Sequence, residues 1–181
     1  MAVHGQDQAT AAAITSVTFV GFALGAPIFG WLSDRLGRRR VPMAMGLATC
    51  ATCMAAVVYV PHLSPMTLSV LCLACGLGGG AQVLGFALVK EHNRLAVSGA
   101  AIGFVNCAFT GGGAIYQPLL GWLLDLSWDG RLVAGDRVYT AAAYQSAFTV
   151  LLAAATIGAI CALLTNESYC RQATSTAMAE A

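Results

Sequence analysis

The stretch GWLSDRLGRRR, residues 30–40, decides how the rest of the chain is read. Asp34, Arg35, Arg38, Arg39 and Arg40 arrive together after a run without charge that reaches back to Asp7. The next charge is Lys90. A knot of charge between two long neutral runs is the pattern of a loop between membrane spans. The composition agrees. Of 181 residues, 58% are hydrophobic and only 9% are charged, whereas a soluble domain carries about 25% charged residues. A soluble chain this poor in charge would have little to cover its surface with. The net charge of +1 says nothing about partners. The position of the arginines between neutral runs argues against a nucleic-acid patch. Residues 1–10, MAVHGQDQAT, lack the basic start of a signal peptide.

Charges and prolines divide the chain into five apolar segments, at about 11–32, 41–60, 66–89, 97–122 and 140–164. None contains Asp, Glu, Lys or Arg, and each reaches the roughly 20 residues that a helix needs to cross a bilayer. Lipid offers the backbone no partners, so each segment is expected to be a helix. The expected class is therefore an all-α membrane protein with five transmembrane helices, antiparallel where the links SDRLGRRR, PHLSP and KEHNRLA are short.

Orientation follows from Lys and Arg. Placing the first link inside also puts Arg35, Arg38, Arg39, Arg40, Lys90, Arg94 and Arg171 inside, seven of the nine basic residues. Arg131 and Arg137 then lie outside. Residues 1–10 are expected to be extracytoplasmic, 11–166 to form the transmembrane domain and 167–181 to be a cytoplasmic tail. An odd number of spans beginning outside suggests that something upstream is missing.

The segment 97–122 carries a stripe of small and polar residues: Gly99, Gly103, Asn106, Thr110, Gly113, Gln117 and Gly121. Steps of three and four place them on one helix face. Cys75, Gly78, Gln82 and Gly85 form a shorter stripe, and Thr18, Gly21 and Gly25 a third. Such faces are either tight helix–helix seams or walls of a polar cavity that Gln82, Asn106 and Gln117 would line. Lipid is the least favourable environment for the three amides. Pro27 and Pro118 are expected to kink their helices, and GLGGG at 76–80 to weaken the third.

The knot now has a place, a short link between two spans, and its pattern carries more than charge. Gly30, Leu32, Ser33, Asp34, Arg35, Gly37, Arg38 and Arg39 reproduce a loop that resembles the signature of the major facilitator superfamily of secondary transporters. The resemblance implies a partial six-helix bundle and transport of a small solute by alternating access, with substrate between two halves. It makes Gly30, Asp34, Arg35, Gly37, Arg38 and Arg39 a conformational latch, with Lys90, Glu91 and Arg94 as candidate partners. Gln82, Asn106, Gln117 and Tyr116 become candidate cavity residues. The stretch SGAAIGFVNCAFTGGGAIYQPLLGWLLD looks like the eleventh helix of bacterial members. The spans then read as helices eight to twelve, in an inner membrane, with an N-terminal half missing or supplied by a second chain. The other reading is a truncated or split subunit with no transport activity alone.

CATC (50–53) and CLAC (72–75) have the spacing of a zinc site. Both lie inside apolar spans, where thiolates and a dication would have to be desolvated together, so the cysteines read as small packing residues. No metal or other cofactor is expected. His4, His62 and His92 form no cluster, and no nucleophile–base pair or phosphate loop is visible, so an enzyme is not expected. No span contains an ionisable residue, which leaves any proton coupling to other helices.

Overall fold

The computed structural model describes residues 7–133 and 135–171. The expectations for residues 1–6 and 172–181, the ends of the two terminal segments, lie outside the described residues. Five long apolar helical spans make up the fold: α1 Gln8–Leu36, α2 Arg40–Tyr59, a third made of α3 Pro65–Gly79 and α4 Val83–His92, α5 Leu95–Leu126 and α6 Ala141–Leu164. Between α5 and α6 lies a small antiparallel hairpin, β1 Leu132–Val133 with β2 Asp136–Arg137.

Side-chain capping explains three of the helix starts. Asp7, Ser64 and Thr140 each accept a hydrogen bond from a backbone N–H three residues on, as side-chain N-caps do. The end of α1 departs from expectation. The charged knot is not all loop, because α1 continues through Asp34 and Arg35, and Arg40 already opens α2. Only residues 37–39 connect them. Gly37, at φ 62°, lets the chain reverse so sharply. Its N–H donates to the Asp34 carbonyl and that of Arg38 to the Ser33 carbonyl, both at 3.2 Å. Gly30 lies within α1, and an added side-chain atom there would meet nothing within 4 Å among the described residues.

The third span is interrupted where its glycines cluster. A single 3₁₀ turn, Gly80–Gln82, separates α3 from α4. α1 and α5 continue past the prolines in their interiors, Pro27 and Pro118. α5 also runs on to Leu126, taking Asp125 into its last turn.

Glycines set the core of the bundle. α1 packs on α3, α3 on α2, and α2 on α6. A methyl at Gly21 would strike the Leu73 carbonyl oxygen, and one at Gly76 the Thr18 carbonyl oxygen. The stripe Thr18, Gly21, Gly25 is thus a seam, where small residues let backbones touch. Gly76→Val should lower the stability of the chain in detergent by about 1–3 kcal/mol through overpacking. Gly99→Val on α5, where the added atoms meet no described neighbour, should not. Equal melting of the two variants would show that the seam does not hold the bundle.

α5 behaves differently. It touches α4 and α6, with Phe109 packed edge-on against Phe86 at 5.3 Å, yet Ser98 is its only buried residue. Its glycine stripe is no seam among the described residues: added atoms at Gly99, Gly103, Gly113 and Gly121 would meet nothing within 4 Å. Asn106, Thr110 and Gln117 are exposed with them. On the opposite side of the helix, Phe104 and Ile115 are 78% and 68% exposed. α5 therefore has two open faces, one small and polar, one large and apolar.

Candidate functional site

Arg39 gathers four separate pieces of chain. It flanks the start of α2, and its side chain is only 9% exposed. One end nitrogen, Nη1, donates to Asp34 Oδ1 at 2.6 Å and to Ser33 Oγ at 2.7 Å. Nη2 donates to Glu91 Oε1 at 2.6 Å, and Nε to both Glu91 oxygens at 3.1 and 3.3 Å. Fork-to-carboxylate pairing of this kind fixes orientation as well as supplying charge. Ser33, fully buried, donates its hydroxyl to the Arg38 carbonyl at 3.0 Å.

The fourth piece follows α6. α2 has no cap from its own N-terminal flank. Glu167 supplies one from far along the chain, accepting the Arg39 N–H at 2.8 Å and the Arg40 N–H at 3.2 Å. A carboxylate at a helix N-terminus is favoured by the free N–H groups and the helix dipole. Ser168 donates to Glu91 and the Cys170 thiol to the Ser33 carbonyl. The end of α1, the start of α2, the end of α4 and the segment after α6 are thereby tied at one end of the bundle.

The two ion pairs of Arg39 are unequal. The Glu91 side chain is 12% exposed and that of Asp34 is 67% exposed. A pair drawn out of water costs about 3–5 kcal/mol when one partner is lost, whereas an exposed pair contributes about 0–1 kcal/mol. Glu91 is therefore the fixed partner and Asp34 the one that releases easily. Hydrogen bonding to Glu91 raises the Arg39 guanidinium further above its ordinary value, against burial and with help from Asp34. It stays charged at any working pH.

For Glu167, burial pushes the carboxyl up, but donations from the backbone of Arg39, Arg40, Tyr169 and Ser168 outweigh it and hold it below 4.5. A depressed carboxyl stabilises above its unfolded value, and that contribution fades as pH falls through the folded one. Below about pH 4.5, amide hydrogen exchange at Arg39 and Arg40 should accelerate beyond the intrinsic pH trend. Glu167→Gln should show that loosening already at neutral pH. An unchanged protection profile in the variant would remove Glu167 from the cap.

Of the residues singled out in the sequence, the structure brings Asp34, Arg39 and Glu91 together. Arg35 instead lies over the Trp31 ring at 5.3 Å. Arg38 enters the cluster through its backbone. Lys90 is exposed on the last turn of α4, and Arg94 flanks the start of α5. Sequence reasoning missed Glu167, Ser168 and Cys170, which it left in a tail. A lone carboxylate directly after an uncharged span was the available signal.

Next to this cluster the bundle holds a cavity of about 390 Å³, bordered by Met43, Leu47, Gln82, Phe109, Cys161 and Thr165 among others. Small residues make the room: Gly78, Gly79, Gly85, Gly158 and Ala162 also border it. Gln82 stands at the 3₁₀ break, so the softened turn and the cavity coincide. Asn106, Gln117 and Tyr116 do not line it: the first two are exposed on α5 and Tyr116 is half-buried. Cys50 donates its thiol to the Cys75 carbonyl at 3.0 Å, a packing contact between α2 and α3. Among the described residues no three metal-ligating side chains converge.

Five apolar helices long enough to cross a bilayer, with few charges inside them, make this a multi-pass helical membrane protein. The model of the Major Facilitator Superfamily matches residues 1–177, and the chain belongs to that family. It is similar to solute carrier family 22 member 7 of Mus musculus, 29% identical over 126 residues, covering 64% of this chain and 21% of that protein. The Bos taurus protein of the same name is 32% identical over 129 residues, again 64% and 21%. The chain thus spans about a fifth of the length of the curated relatives it matches.

Proposed function

We propose that the chain is the C-terminal part of a secondary transporter, helices eight to twelve, which moves a small solute by alternating access. The observation that carries this reading is the polar face of α5, left open beside a charge cluster that ties the rest of the bundle together. An amide-bearing face is costly against lipid. Water and solute suit it, with a second half of the transporter across the gap. Asn106, Gln117 and Tyr116 then line the path, and no group of the enzyme kind is needed. The charged end lies in the cytoplasm by the positive-inside bias, with the protein in an inner membrane. There Asp34, held by one exposed pair, is the switching member of the latch, and Glu91 with Glu167 anchors Arg39 in every state.

The relatives are named as solute carriers, which supports transport without selecting a solute. The test is uptake by the full chain in proteoliposomes, offered a panel of small organic anions, cations and neutral solutes. At least one should enter faster than into protein-free vesicles. Asp34→Asn should slow that entry about tenfold, the equivalent of losing a ~1.4 kcal/mol preference between conformations, with membrane insertion unchanged. Uptake identical in the variant would remove Asp34 from the latch. Entry of no solute would favour the other reading, a subunit inactive by itself.

A further inference from the structure

Arg39 uses up the acids near it, and this leaves its two neighbours with an unusual surface. Arg38 and Arg40 border a depression of about 240 Å³ together with Val41, Leu163, Glu167 and Tyr169. Among the described residues neither guanidinium has an ion-pair partner: Asp34 and Glu91 are engaged by Arg39. Glu167 is the only acid in the depression, and its oxygens already accept the Arg39 and Arg40 amides. Two cations against one engaged carboxylate leave the depression short of negative charge.

Its other wall is apolar. Val41, one residue into α2, is 40% exposed, and Leu163, one residue from the end of α6, is 46% exposed. Tyr169, 61% exposed, stands at the rim. The depression therefore lies where two spans leave the bilayer, with guanidiniums at headgroup level and aliphatic side chains towards the hydrocarbon. Tyrosine suits such a boundary, having an apolar ring and a polar tip.

We propose that this depression is a binding site for an anionic glycerophospholipid. The phosphate sits between Arg38 and Arg40, with the Tyr169 hydroxyl as a further donor, and an acyl chain runs down over Val41 and Leu163. Guanidiniums match phosphate oxygens in geometry as well as charge. A soluble phosphate would use only the charged wall, while a lipid uses both. By occupying this wall, the lipid would brace the seam between α2 and α6 beside the Glu167 cap.

The full chain in detergent, titrated with dioleoylphosphatidylglycerol or dioleoylphosphatidylcholine and read by native mass spectrometry, tests this. The anionic lipid should be retained in preference to the zwitterionic one. Arg38→Gln with Arg40→Gln should weaken its retention about tenfold or more. Arg35→Gln, in the same basic stretch but outside the depression, should not. Leu163→Gln, an uncharged change at an exposed position where folding should tolerate it, should weaken it independently of the arginines. Excess inorganic phosphate should not displace the lipid. Equal retention by the double arginine variant would overturn the site. So would an equal loss in Arg35→Gln, which would mean diffuse attraction, or displacement by phosphate, which would mean a plain anion site.

Discussion

Replacing Arg39 with methionine should destabilise the chain by about 3–5 kcal/mol, the usual result of removing one partner from a pair withdrawn from water. Methionine keeps an unbranched stem of similar length, so lost packing is a minor part. What remains is Glu91, with 12% of its side chain exposed and no cation, and Ser33, fully buried and relieved of one donor. Arg39→Lys should recover only part of the loss. It restores a charge but not the fork that meets Ser33, Asp34 and Glu91 at once. Adding Glu91→Met to Arg39→Met should restore stability, because the unpaired carboxylate is then gone. Asp34→Asn, by contrast, should cost no more than about 1 kcal/mol, since the Asp34 side chain is 67% exposed. Unfolding in detergent of the four variants checks the order. Arg39→Met as stable as Asp34→Asn would show that Arg39 is not the hub.

That inequality has a functional side. In the latch we propose, one strong anchor is joined to one bond weak enough to exchange. Burial makes the Glu91 pair the anchor and exposure makes the Asp34 pair the exchangeable bond, although both are 2.6 Å long. Distance alone would not have separated them.

The spans were legible because hydropathy and charge are read locally. A run without Asp, Glu, Lys or Arg longer than a bilayer needs little context. Helix ends were less legible. Asp34 and Arg35 look like loop because they are charged, yet the left-handed turn at Gly37 is what stops α1. Glu91 was reachable in sequence because it lies at the next charged helix end on the same side. Glu167 was not, because its cap bridges 128 positions and no periodicity links them. The stripes on α1 and α5 look alike on paper. One is a seam and the other is open, and only the neighbours decide which. Arg35 shows the same limit: it is in the signature, but its helical position turns it towards Trp31 in this structure.

The most direct test of a solute path along α5 is the reactivity of single cysteines along it. In a background with the seven native cysteines replaced, cysteines are placed at Gly103, Asn106, Gly113 and Gln117, and at Phe104 and Ile115 on the opposite face. The full chain in membranes is then exposed to a small hydrophilic maleimide. A thiol needs water to ionise and react. The first four positions should label with helical periodicity, about tenfold or more faster than Phe104 and Ile115, whose face should meet lipid. Equal resistance at all six positions, or faster labelling at Phe104 and Ile115, would contradict the account.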